Sequence, residues 1–265
     1  MRNFLILLVC LISSQYTASA SEDWKINVGG VVRDIIVTAP SGLNKTALVI
    51  VMHGMNGWHK GHQESTKFDQ VAEREKFVVV YPNGIDGAWD ISGNRDINFI
   101  EAIIDTMAQR YDVDRSRVYC TGWSMGGMMS YHLACNIPEK IAAIGPTSGY
   151  SMWGAPKCDN SRPVPIIHIH GTSDDVVGYS GLHSFLQNKI SEYGCPVEPE
   201  VTKPYPSSRA GSKTYMERWG PCESNGMKSE IVVITIDGMG HWYATDYNGS
   251  NVHESEVFPH QSRPL

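Results

Sequence analysis

The chain has 265 residues, 42% of them hydrophobic and 19% charged, with 25 glycines and 14 prolines. That balance excludes a disordered or collagen-like chain, and six cysteines in this length exclude a miniprotein held by disulfides alone. A formal net charge of −6 leaves no basic footprint for nucleic acid.

In chain order, the first element is a leader. Arg2, an apolar run over 4–12 and the small residues of Ala18-Ser19-Ala20 read as a signal peptide cleaved after Ala20. That run is too short to span a bilayer, and no later stretch reaches the ~18 apolar residues a span needs. The mature chain is therefore predicted to be secreted, to the extracellular space or periplasm, and free of the membrane. Residues 21–265 are expected to form one domain.

Residues 26–38 read as an N-terminal antiparallel hairpin turning at Gly29-Gly30. Apolar strand-like runs then follow at 47–52, 77–81, 118–121, 141–145, 164–170 and 231–236. Helical patterns lie at 68–76, 96–111, 125–135 and 182–193. Strands apolar throughout and separated by helices predict an α/β fold, with a mostly parallel central sheet flanked by helices. Ligands of such sheets bind outside the carboxyl ends of the strands, which selects the loops to read for chemistry. The stretch 194–230 reads as irregular, a candidate rim or lid. His59 and His62 lie in a polar loop and are expected to face solvent.

Loss of Cys10 with the leader leaves five cysteines, so at least one thiol stays unpaired or pairs outside the chain. Cys120 sits in an apolar strand pattern and reads as a core residue. Cys195 with Cys222, and Cys135 with Cys158, are the plausible pairs.

The chemistry starts at Gly122-Trp123-Ser124-Met125-Gly126-Gly127, a G-x-S-x-G run with a strand before it and a helix after it. A serine held on such a turn is a candidate nucleophile, and the glycines leave room for a strained backbone. A serine hydroxyl needs a base and an orienting acid, which follow downstream in the order acid, then histidine. Gly171-Thr172-Ser173-Asp174-Asp175 follows one strand, and Asp174 lies nearer its end than Asp175. Asp237-Gly238-Met239-Gly240-His241 follows the last strand and supplies His241 as the general base. The oxyanion hole needs two backbone N–H donors. Met125, after the nucleophile, supplies one; Met55, or alternatively Gly54, supplies the other from His53-Gly54-Met55-Asn56-Gly57. His53 reads as structural. His168 and His170 have a spacing that can bind metal, but no further ligand completes a set, so no metal is assigned.

Several runs together resemble one group of secreted enzymes: Met52-His53-Gly54, Phe77-Val78-Val79-Val80-Tyr81-Pro82-Asn83-Gly84, Asp96-Ile97-Asn98-Phe99-Ile100, Val118 to Met128, and His170-Gly171-Thr172-Ser173-Asp174. The group is the feruloyl esterases, acetylxylan esterases and polyhydroxybutyrate depolymerases of the α/β-hydrolase superfamily, and the resemblance covers about residues 45–245. It implies an α/β-hydrolase fold, Ser124 as nucleophile, Asp174 as acid and His241 as base, with no metal or organic cofactor. Members often read Gly-His-Thr-Trp-Pro near the base, whereas this chain reads Gly240-His241-Trp242-Tyr243.

A feruloyl ester needs a flat apolar slot, and Trp123, Trp153, Trp242 and Tyr243 lie near enough to the chemical loops to build one. The expected partner is an ester-bearing plant cell-wall polysaccharide or oligosaccharide, with feruloyl esters ahead of acetyl esters or poly(3-hydroxybutyrate). The sequence carries no reading of oligomeric state. A reading from a different class is a non-catalytic carbohydrate-binding protein on a hydrolase scaffold.

Overall fold

The structure is a computed structural model that describes residues 21–152, 158 and 162–244. The predicted leader and Trp153 lie outside the described residues.

The chain opens with β1 (Glu22–Val28) and β2 (Val31–Thr38), paired antiparallel with Val28 opposite Val31. The turn between them holds Gly29 at φ 60° and Gly30 at φ 88°. Two successive positive φ values match the right-handed twist of a two-residue hairpin, and glycine meets them without steric cost. The chain then runs through β3 (Thr46–Met52), α1 (His59–Thr66), α2 (Phe68–Glu75), β4 (Val78–Pro82), α3 (Arg95–Tyr111), β5 (Val113–Trp123) and α4 (Met125–Asn136). It continues with β6 (Ala143–Thr147), β7 (Ile166–Gly171), α5 (Tyr179–Glu192), β8 (Glu200–Thr202), β9 (Thr214–Ser224) and β10 (Met227–Ile236). The ten strands form one sheet in the order β1-β2-β4-β3-β5-β6-β7-β10-β9-β8. From β4 to β10 neighbouring strands pair in parallel, and antiparallel strands close both edges.

Strand side chains alternate between two faces, and both faces are buried. Leu48, Ile50, Met52, Val78 and Val80 join Ile100, Ile103 and Met107 of α3 and Met129 and Leu133 of α4. Val51, Val79 and Tyr81 point the other way, onto Ala72 and Phe68 of α2. This two-sided burial is why these strands read as continuous apolar runs rather than as alternating patterns.

Two expectations are corrected. The 194–230 stretch is not irregular: it supplies β8 and β9, which extend the sheet beyond β10. Pro221 speaks against a strand in the sequence, but it falls beside a register shift between Ser229 and Ile231 of the paired strand, where a missing N–H is tolerated. His59 and His62 lie on helix α1 rather than in a loop, and His62 is 6% exposed. Cys135–Cys158 and Cys195–Cys222 are disulfides, and Cys120 is a buried free thiol. Among the described residues, no helix is long and apolar enough to cross a membrane.

One buried ion pair ties the antiparallel edge to the core. Arg33 Nη1 lies 2.8 Å from Asp96 Oδ1, with both side chains at most 4% exposed. The guanidinium also donates to the Asn83 carbonyl and sits over the Phe99 ring. Removing Arg33 leaves the buried Asp96 Oδ1 without its cation, while Oδ2 keeps Arg95 at 3.0 Å and the Asp90 amide. Arg33→Leu is expected to cost about 3 kcal/mol, read as a lower urea midpoint at unchanged m-value.

Candidate active site

β5 ends at Trp123 and α4 starts at Met125, so Ser124 alone makes the turn between them, at φ 54° and ψ −117°. An L-residue adopts this backbone only when its surroundings impose it. Three glycines permit the close packing that does so. A Cβ on Gly126 would lie 2.1 Å from the Met52 carbonyl oxygen. One on Gly122 would lie 2.6 Å from the same oxygen, and one on Gly149 1.9 Å from the Ser124 carbonyl oxygen. The Ser124 amide donates to the Thr147 carbonyl at 2.9 Å, which fastens the turn to β6. Gly126→Ala would force α4 away from β3. It is expected to cost at least about 2 kcal/mol and to abolish labelling by a fluorophosphonate probe, checked by thermal melt and gel fluorescence.

Ser124, Asp174 and His241 leave the carboxyl ends of β5, β7 and β10, and the structure brings them together. The Ser124 hydroxyl donates to His241 Nε2 at 2.9 Å, and His241 Nδ1–H donates to Asp174 Oδ2 at 2.9 Å. The other carboxylate oxygen, Oδ1, accepts from the amides of Val176 at 3.0 Å and Val177 at 2.8 Å. Burial pushes the Asp174 carboxyl up, but hydrogen bonds from His170, His241 and the Val177 amide outweigh it and hold the group well below the usual carboxylate range. Asp175 is exposed on the same loop, and the imidazole contact is made by Asp174.

Met125 opens helix α4, so its amide is one of the helix's unsatisfied N–H groups and stands at the positive end of the dipole. The facing loop, 53–57, is held from below by His53. Gly84 N–H donates to His53 Nε2 at 2.9 Å, which leaves Nδ1 as the protonated nitrogen, donating to the Gly54 carbonyl at 2.7 Å. Burial lowers the His53 pKa and favours this neutral form. Trp89 Nε1 donates to the His53 carbonyl, and the Asn56 and Gly57 amides bond to Gly87 and Gly54. Met55 keeps an amide outside these loop hydrogen bonds.

Of the predicted slot residues, Trp123 packs 5.1 Å from the His241 ring and against Gly54. Trp242 is 46% exposed beside the base. Tyr243 turns inward: it meets His62 edge-on and Thr121 through its hydroxyl, and burial pushes its phenol to about 12. Burial, aided by the nearby His53, takes His62, whose buried Nε2 has no hydrogen-bond partner among the described residues, down to about 3. The sequence reading missed a set of apolar side chains on the same loops. Met55, Trp58, Met152 and Val176 are each between 44% and 59% exposed, on loops at the carboxyl ends of β3, β6 and β7. Their only sequence signal is adjacency to the predicted chemical residues. Among the described residues, no group of three or more histidines, cysteines or carboxylates is arranged to hold a metal.

The Phospholipase/Carboxylesterase family profile matches residues 91–195. The chain is 40% identical over 215 residues to a bifunctional acetylxylan esterase/xylanase of Neocallimastix patriciarum, covering 80% of this chain and 31% of that protein. It is 30% identical over 165 residues to a probable feruloyl esterase C of Aspergillus clavatus, covering 62% of this chain and 56% of that protein. The chain thus spans less than two thirds of the length of each of these relatives. An acetyl xylan esterase structure from Aspergillus awamori superposes with a TM-score of 0.65 at 18% identity, covering 90% of this chain and 99% of that one, which is a likeness of fold.

Proposed function

We propose that this chain, which has an α/β-hydrolase fold and is similar to acetylxylan and feruloyl esterases, is a secreted serine esterase acting on ester substituents of plant cell-wall polysaccharide. The observation that carries this reading is the unbroken hydrogen-bonded line Ser124–His241–Asp174, with each contact at 2.9 Å. Ser124 Oγ attacks the ester carbonyl carbon while His241 Nε2 takes the hydroxyl proton. Asp174 holds His241 with its proton on Nδ1 and stabilises the imidazolium. The Met125 and Met55 amides receive the oxyanion. His241 then protonates the departing sugar oxygen, and water cleaves the acyl-enzyme by the same route.

Feruloyl esters are the preferred substrate, because the exposed apolar rim of Met55, Trp58, Met152 and Trp242 offers a flat aromatic acyl group a dry surface. Acetyl esters are the second reading, favoured by the 40% match to a protein named as an acetylxylan esterase. Hydrolysis of methyl ferulate and of acetylated xylan, each with Ser124→Ala alongside, tests both. Ferulate release by the wild type alone supports the first; acetate release without ferulate release replaces it with the second; no turnover of either overturns the esterase reading. Secretion rests on the leader read in 2–20 and on the two disulfides, which persist in oxidising compartments. N-terminal sequencing of the exported protein is expected to start at Ser21, the first residue of a single catalytic domain.

A further inference from the structure

The pair His168-x-His170 has no part in the mechanism above, yet both rings are fully buried on β7. They stack at 5.2 Å between centroids, 9° from parallel. Every nitrogen on them is engaged. Tyr131 Oη lies 2.9 Å from His168 Nδ1, and His168 Nε2 lies 2.9 Å from His170 Nδ1. His170 Nε2 lies 2.8 Å from the Val177 carbonyl oxygen and 3.2 Å from Asp174 Oδ2.

The donor inventory fixes the direction of this chain. His170 Nε2 faces two oxygens that can only accept, a carbonyl and a carboxylate, so it carries a proton. At the other end, Tyr131 is buried, and His168 Nδ1 is the one hydrogen-bond partner of its hydroxyl among the described residues. A buried phenol without an acceptor is costly, so Tyr131 donates. His168 Nδ1 is then an acceptor and His168 Nε2–H donates to His170 Nδ1. Burial drives the His168 pKa well below its ordinary value, which agrees with a neutral ring. The three hydrogens thus run in one direction, from Tyr131 through His168 to His170, whose Nε2–H is shared between the Val177 carbonyl at 2.8 Å and Asp174 Oδ2 at 3.2 Å.

Asp174 Oδ2 is the oxygen that His241 Nδ1–H also uses. Each additional donor on a carboxylate oxygen draws off part of the charge available to the first. We infer that His170, held in one tautomer by Tyr131 and His168, is a positioning residue that donates to the Asp174 oxygen facing His241 and so limits how tightly Asp174 holds a proton on His241.

The titratable groups around this chain leave that role to His170. Tyr150 and Tyr179 each stand 5.9 Å from its ring, with their hydroxyls committed to the Gly178 carbonyl and to Tyr215 and Thr235 respectively. His183 of α5 is paired with Glu217 of β9. Around His241 stand Ser124, Trp123 and Asp174.

The inference rests on the esterase reading only for its kinetic test. In the wild-type protein with ¹⁵N-labelled histidine, NMR is expected to find His168 and His170 protonated on Nε2 and bare on Nδ1. A proton on His170 Nδ1 would overturn the inference, whether or not any ester is turned over. In kinetics, His170→Leu is expected to move the acid limb of kcat/KM upward by about one pH unit. His170→Gln places an amide donor near the lost Nε2–H and is expected to return the limb to within about 0.3 unit of wild type. A merely structural role would lower kcat or melting temperature in both variants without moving the limb. An unmoved limb in His170→Leu, or an equal displacement in His170→Gln, would overturn the inference. Should His170→Leu fail to fold, the wild-type tautomers still decide. Absence of turnover on both esters would sink the esterase reading and leave the NMR result standing.

Discussion

Ser124→Ala is expected to lower kcat by about 10⁴- to 10⁶-fold, with KM nearly unchanged. The nucleophile and base act as a unit, so removing one forfeits almost everything the pair contributes. The residual rate comes from substrate binding and the oxyanion amides, both of which survive the change. The turn itself should hold. Its φ of 54° is imposed by packing at Gly122, Gly126 and Gly149 and by the Ser124 amide bond to Thr147, none of which needs the hydroxyl. Single-turnover kinetics on methyl ferulate and a parallel thermal melt check both halves. Activity within tenfold of wild type would remove Ser124 from the mechanism.

Asp174→Asn is expected to lower kcat by about 10⁴-fold, and Asp175→Asn by less than tenfold. The asparagine fits the same space and keeps an oxygen for the Val176 and Val177 amides. Its NH₂ group then faces His241 Nδ1, which must accept rather than donate. The imidazole proton moves to Nε2, opposite the Ser124 hydroxyl, and the ring can no longer take a proton from it. The loss therefore comes from a wrong tautomer in an intact fold, and circular dichroism should be unchanged. Equal losses in the two variants would exclude this assignment of the acid.

Most of the candidate site was legible because it is local. G-x-S-x-G, the Asp174 loop and the His241 loop each follow an apolar strand, and short-range sterics dictate their form. What the sequence hid is set by distant partners. Nothing in 59–66 shows an apolar stripe or a capping residue, and His62 is buried because Tyr243 closes over it from the far end of the chain. β9 looks irregular because its proline is excused by a bulge in a strand whose pairing the sequence does not display. The histidine pair on β7 read as a weak metal motif because its partners, Tyr131 and Val177, lie on other elements. The apolar rim was hidden for a different reason: a single exposed methionine or tryptophan carries no periodicity.

β10 is the last strand of the described chain, yet it lies inside the sheet, between β7 and β9. It also delivers His241 to a serine 117 residues upstream. During synthesis, β7 therefore stays an open parallel edge until residues 227–241 emerge, and that edge carries Ile167 and Ile169. Such an edge is a template for pairing with another chain. The serine gains its base in the same event that closes it. The proposed esterase activity would thus appear only in molecules past their most aggregation-prone stage, and its recovery on refolding should lag recovery of secondary structure.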